Sequence, residues 1–312
     1  MKLLGIDTGG TFTDFVFYDG TSLKIHKVLS IPEAPEKAIL KGINEMGLTM
    51  QALRIIHGTT VATNAVLEGK GARTVYVANR GLQDVLTIGR QARTELYNLQ
   101  PEPSPPPVEE KYCLQTGGRI GANGEIIEPL TKQDIDTLLT EIRQLRPESV
   151  AVNLLFSFIN DQFECEIANA LPNNLFVSIS SEILPEYREY ERGITTWLNA
   201  YVGPLVHGYL LDLSEQVKPA MVSVMRSSGQ TCDAERAGKE AVNLLLSGPA
   251  GGLTGARFLG SNSHYQKLLT LDMGGTSTDV ALIDGDISLT NTGHIAQYPV
   301  GVSMVDMHTI GA

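Results

Sequence analysis

A chain of 312 residues has room for about two domains and for a core that needs no disulfide or metal staple. Its 24 basic residues against 35 acidic ones leave a net charge of −11, the wrong sign for a protein whose main partner is nucleic acid. The three cysteines, Cys113, Cys165 and Cys232, are too widely spaced for a disulfide framework or a zinc site, and a reducing cytoplasm is the expected compartment. The longest apolar stretch, 150–158, is too short to cross a bilayer, and Asp7 interrupts the first apolar run, so neither a membrane partner nor a secretory leader is expected.

In chain order, the first predicted element is a strand–turn–strand over 3–20, with a buried run at Leu3, Leu4 and Ile6, a turn at Gly9-Gly10 and a closing turn at Asp19-Gly20. A helix is predicted over 34–46, a short strand ending at His57, and a helix over 60–68 closed by Gly69. A β-branched strand follows at 73–78. The segment PEPSPPP (101–107) excludes helix and central strand and is expected as an extended loop. Apolar residues at helical spacing predict a helix over 131–145, with Thr131 and Asp134 as a capping box. Strands are expected at 148–158 and 175–180, then a long helical stretch over 187–217, broken at Gly203-Pro204. Strands alternating with helices indicate an α/β architecture, with a first domain over 1–185 and a second over 186–312.

The chain repeats itself. LLGIDTGGTFTDFVFYDG from Leu3 and LLTLDMGGTSTDVALIDG from Leu268 share two leucines, an Asp, Gly-Gly-Thr, Thr-Asp and a closing Asp-Gly. We read them as equivalent hairpins of two related domains. A Gly-rich turn lets backbone N–H groups approach an anion, and threonine hydroxyls add donors. Asp7 or Asp272, at a strand end, would hold a hydrated Mg²⁺ against phosphate oxygens. An ordinary Gly-Gly turn is the alternative for either copy alone; the duplication favours two hairpins gripping one phosphate chain. No P-loop and no dinucleotide-binding glycine signature is present.

His57-Gly58-Thr59-Thr60 enters a helix, which makes it either an anion-friendly helix start or simple N-capping by Thr59 or Thr60. His57 alone reads more readily as structural than as catalytic. SGPAGG (247–252) permits close backbone approach through Gly251 and Gly252, or serves helix packing. Arg90 and Arg93 are either bidentate anion ligands or solvated surface groups, and Asp306 with His308 is a weak candidate metal pair. No cysteine has a neighbour that would activate it.

Together DTGGTFTD (7–14), HGTTVATNA (57–65), IGRQARTELYNL (88–99), SGPAGG (247–252), DMGGTSTDV (272–280) and VDMHTIGA (305–312) resemble the hydantoinase/oxoprolinase family in its nucleotide-binding subunit. The resemblance implies an actin-like ATPase fold of two related ribonuclease-H-like domains, the second incomplete at Ala312. It implies ATP-dependent opening of a cyclic amide, a hydantoin or 5-oxoproline, through phosphorylation of the amide oxygen, with a separate B-type subunit as partner. Relatives that serve ketone carboxylases give a second reading, and a non-catalytic, partner-binding module a third.

By position, the resemblance sets Asp7 and Asp272 on Mg²⁺, and Thr8, Gly9, Gly10, Thr11 and Thr13 on ATP phosphates from one side. Gly274, Gly275, Thr276 and Ser277 face the phosphates from the other, with Gly251 and Gly252 beside them. Asp14 and Asp279 either support the metal ligands or stabilise the turns. His57, Thr59, Thr60 and Arg93 are candidates for the substrate side.

Overall fold

The computed structural model describes residues 2–92, 96–100, 105–273 and 277–311. Residues up to 70 form β1 (Lys2–Thr8), β2 (Phe12–Tyr18), β3 (Leu23–Leu29), α1 (Pro35–Glu45), β4 (Leu53–Thr59) and α2 (Val61–Leu67). Next come β5 (Thr74–Asn79), α3 (Val85–Ile88), β6 (Cys113–Thr116), β7 (Arg119–Ile120), β8 (Ile126–Glu128), α4 (Lys132–Leu145), β9 (Ser149–Asn153), α5 (Gln162–Ala170), β10 (Phe176–Ile179), α6 (Ser180–Ile183) and the long α7 (Glu189–Gln216). The remainder carries β11 (Met221–Met225), β12 (Thr231–Asp233), α8 (Ala234–Lys239), α9 (Ser247–Asn262), β13 (Lys267–Met273) and β14 (Ser277–Asp284). Short strands close the chain: β15 (Asp286–Ile287), β16 (Leu289–Thr290), β17 (Gly293–Ile295), β18 (Tyr298–Val300), β19 (Met304–Val305) and β20 (His308–Gly311).

Contacts divide the chain into two compact units. One consists of 1–70, 205–297 and 302–312; the other of 71–204 and 298–301. The division by packing therefore differs from a division in chain order at residue 185. The first unit holds a six-stranded mixed sheet ordered β12-β11-β4-β1-β2-β3, and a second sheet of β13, β14, β15 and β20. Alternation in β1 and β2 buries Leu4, Ile6, Phe15 and Phe17 on one face, which α1 covers with Ala38, Ile39 and Ile43. The second unit centres on the parallel sheet β10-β9-β5-β6, whose Val75, Val77, Val150 and Val152 pack against Leu138 and Ile142 of α4 and Phe163 and Ile167 of α5.

The capping box forms as the sequence predicts: the Asp134 N–H donates to Thr131 Oγ1, and the Thr131 N–H to the Asp134 carboxylate. Two expectations are corrected. The strand expected over 148–158 ends at Asn153, after which the chain turns. The break expected at Gly203-Pro204 does not occur: α7 runs through Pro204 over 28 residues. Buried residues on both sides of the proline, Leu198, Val202, Val206 and Leu210 among them, hold the helix together at a position where propensity alone would end it. Among the described residues no helix is long and apolar enough to cross a membrane.

Candidate functional site

The site is built at the ends of β1, β4 and β13, in the first unit. β1 lies between β2, antiparallel, and β4, parallel, in a register that sets Asp7 opposite Asp14 on one side and Gly58 on the other. The second hairpin repeats the arrangement, with Asp272 opposite Asp279. Like charges directly opposed across a ladder are unfavourable, so the repeat places an acidic pair where a sheet would not choose one for stability. Lys27 of β3 pairs with Asp14 at 3.0 Å and takes up part of that charge.

Asp7 itself is open to solvent, yet crowded. A Cβ at Gly58 would stand 3.3 Å from its Oδ1, and one at Gly248 would stand 3.8 Å away. The two glycines therefore let the end of β4 and the start of α9 close in on the carboxylate. Desolvation by this crowding, then the charges of Asp14 and Asp272, push the Asp7 carboxyl above the usual carboxylate range. The two hairpins thus bring Asp7 and Asp272 near enough for the second charge to act on the first. The sixteen-residue helix α9 begins beside Asp7 and turns its electropositive end there. Its entry is sharp, because Leu246 adopts φ 61° and donates its N–H to Thr63 Oγ1. Ser247 then donates its Oγ–H to the Thr59 carbonyl at 2.9 Å and pins α9 to the end of β4.

This setting fits a hydrated Mg²⁺. Among the described residues no three His, Cys, Asp or Glu side chains form a metal-holding group, so any cation would keep water and phosphate oxygens as ligands, as Mg²⁺ does. The raised Asp7 carboxyl and the opposed acidic pair are what such a charge would relieve. Thr8 adds a buried hydroxyl with no hydrogen-bond partner.

The other predicted residues are distributed as follows. Gly10 and Thr11 are exposed at the first turn, and the Gly9 N–H closes that turn on the Phe12 carbonyl. Thr13 is buried, with its hydroxyl bonded to Ser30 at 2.9 Å. Thr59 is buried and its Oγ1 accepts from the Val61 N–H; Thr60, half-buried, donates its Oγ1 hydroxyl to the Thr8 carbonyl. Gly251 and Gly252 lie in the first turns of α9, Gly251 near Met225. Gly274, Gly275, Thr276 and Arg93 lie outside the described residues, and Ser277 is described only as the first residue of β14.

His57 does not face solvent. It is fully buried beside Tyr209 of α7, and the two are hydrogen-bonded through the Tyr209 hydroxyl and His57 Nε2. Burial lowers the imidazole to about 4, so it is neutral, and burial also holds the Tyr209 phenol protonated. Arg90 is committed to a carboxylate of its own chain, binding Glu191 through Nε and Nη2. Asp306 and His308 are exposed. Burial raises Cys113 to about 11, and Cys165 and Cys232 also lie above the usual thiol value. Sequence reasoning missed Tyr209, 152 positions from His57 with no local pattern to mark it, and it missed Ser247, which the SGPAGG segment contained but did not single out.

An actin-like ATPase fold with an acidic, glycine-lined strand end defines the class of protein. Residues 3–175 match the hydantoinase/oxoprolinase N-terminal region, and residues 192–312 match hydantoinase/oxoprolinase. The chain belongs to the hydantoinase/oxoprolinase family. It is 33% identical over 311 residues to a protein of Methanocaldococcus jannaschii, covering 96% of this chain and 45% of that one. It is 30% identical over 330 residues to caprolactamase subunit alpha of Pseudomonas jessenii, covering 99% and 47%. The crystal structure of the ATP-dependent caprolactamase from that organism superposes with a TM-score of 0.87 at 29% identity, and a nucleotide-free acetone carboxylase with 0.88 at 26%; each match covers 99% of this chain and 48% of the other. The chain spans about half the length of the relatives it matches.

Proposed function

We propose that this chain is the nucleotide-binding part of an enzyme that uses ATP to open a cyclic amide of the hydantoin or 5-oxoproline type. The observation that carries the reading is the Asp7 site: each repeated hairpin sets an aspartate opposite a second one, Asp7 with Asp14 and Asp272 with Asp279, and burial with the charges of Asp14 and Asp272 raises the Asp7 carboxyl above its ordinary range. Asp7 and Asp272 would hold Mg²⁺, which when bound neutralises phosphate oxygens. Gly10 and Thr11 present backbone and hydroxyl donors to the phosphate chain from the first hairpin, in a turn that the Gly9 N–H closes on the Phe12 carbonyl, and the N-terminus of α9 adds its positive end. Such preorganised donors stabilise charge that grows on a transferring phosphoryl group. Transfer of that group to the amide oxygen weakens the C–N bond toward water, and a second, B-type subunit completes the enzyme. Thr13, Thr59 and His57 act from behind, holding the turns in place through Ser30, Val61 and Tyr209.

Calorimetric titration with Mg·ATP tests the reading. The chain should bind in the micromolar range, and Asp7→Asn should weaken binding at least tenfold while melting no lower than the parent, since it removes a repelled charge. Equal binding by the variant overturns the assignment. A ketone-carboxylase role is the second reading, favoured by the likeness to acetone carboxylase. ADP release stimulated by a ketone and not by a lactam would select it.

A further inference from the structure

Ser30 meets the first hairpin from outside its glycine-rich motif. It is the residue after β3, 21 positions from Gly9, and it is bonded to both ends of the turn over 9–11. Its hydroxyl donates to the Gly9 carbonyl at 2.7 Å, and its N–H donates to the Thr11 carbonyl at 2.9 Å. A serine hydroxyl has one hydrogen to give, and here the Gly9 carbonyl takes it. The 2.9 Å bond between the Thr13 and Ser30 hydroxyls therefore runs from Thr13 to Ser30. The buried Thr13 thus fixes Ser30, and Ser30 fixes the turn.

Two adjacent glycines leave the direction of the peptide unit between them unsettled, because glycine adopts either sign of φ at little cost. With its carbonyl outward, that unit would set a partial negative charge against a phosphate. With its N–H outward, it adds to an anion-binding concavity. Carbonyl and N–H point opposite ways across a trans peptide, so holding the Gly9 carbonyl also aims the Gly10 N–H. The Gly9 N–H is already committed to the Phe12 carbonyl. Among the described residues the N–H groups of Gly10 and Thr11 have no backbone acceptor, and both residues are exposed.

We propose that Ser30 is a positioning residue for polyphosphate binding. Through the Gly9 carbonyl it turns the Gly10 N–H toward the phosphate chain, and through the Thr11 carbonyl it anchors the far end of the turn to β3. The proposal rests on the reading of this turn as a phosphate contact, and it names the residue that decides which backbone groups the turn presents.

The experiment is calorimetric titration of the 312-residue chain with Mg·ATP and with Mg·tripolyphosphate, which carries the phosphate chain without adenosine. Ser30→Ala should weaken both at least tenfold. Ser30→Thr, which keeps the hydroxyl and the N–H, should bind within threefold of the parent. Circular dichroism checks that each variant is folded at the titration temperature. Amide spectra of the parent give a readout that needs no variant: the Gly10 amide resonance should shift on addition of Mg·tripolyphosphate, while the Ser30 amide stays protected from exchange. Equal affinity of Ser30→Ala and the parent overturns the proposal, and so does equal weakening in both variants. A Gly10 resonance that stays in place, or a Ser30 amide that loses protection on binding, overturns it too. A parent that binds neither ligand overturns the nucleotide reading and this proposal with it, a result distinct from binding that Ser30→Ala leaves intact.

Discussion

His57 and Asp7 lie on adjacent paired strands and serve opposite sides of one sheet. His57 is paired with Ile6 and faces the interior, while Asp7 is paired with Gly58 and faces outward. One residue of register thus separates a fully buried imidazole from a carboxylate on the open side of the sheet. The buried imidazole lies near 4 against an ordinary 6.5, and a difference of that size is worth about 3 kcal/mol. Above pH 6.5 both folded and unfolded chains carry neutral imidazole, and the contribution is complete. As pH falls from 6.5 toward 4, the unfolded chain takes up a proton that the folded chain refuses, so stability is lost. Denaturant titrations at intervals across that window should show this slope, and His57→Gln, which keeps a polar partner for Tyr209 but does not titrate, should flatten it by close to one proton. An unchanged slope would mean that other groups govern acid unfolding.

At the scale of elements, the site depends on α9 being fixed against the end of β4. Ser247 makes that joint: its hydroxyl donates to the Thr59 carbonyl, and its Oγ accepts from the Thr59 N–H at 3.4 Å. Ser247→Ala leaves a buried carbonyl without this donor, at a cost of about 1–3 kcal/mol, and releases α9 from Asp7. Urea denaturation should show that loss, and Mg·ATP affinity should fall several-fold in the same variant; loss of stability with full affinity would confine Ser247 to a structural role. Most of the elements were legible beforehand. The repeat marked both hairpins, Thr131 and Asp134 marked the start of α4, and glycine with threonine marked the turn after β4. The face each hairpin would bury was not legible, because Leu3, Leu4 and Ile6 supply apolar residues to both sides, and only the helices packed nearby decide between them. The course of α7 through Pro204 was hidden for a related reason: propensity speaks for a break, and burial on either side overrides it.

At the scale of the whole chain, the sequence announces an α/β protein and a duplication, but not the interleaved assignment of residues 205–297 to the unit begun by 1–70, which rests on contacts far apart in sequence. The unit of 71–204 has its own organising centre, which no motif foretold. Glu164 is fully buried, and its carboxylate accepts four donors: the Leu154 N–H, the Ser180 hydroxyl, and the N–H and hydroxyl of Ser181. Arg192, also buried, donates to Asn153, Ser180, and the carbonyls of Glu186 and Leu154. Together they tie the end of β9 to α5, α6 and the start of α7. Glu164→Gln sets an amide N–H₂ where only donors wait and leaves Arg192 without its countercharge, a loss of about 3 kcal/mol. Every partner of Glu164 lies within 71–204, so the loss should appear there: amides of β5, β9 and β10 exchange faster in the variant, while those of β1 and β4 keep their rates. Equal acceleration in β1 and β4 would show that the two units unfold as one, and the division drawn from contacts would then have no thermodynamic counterpart.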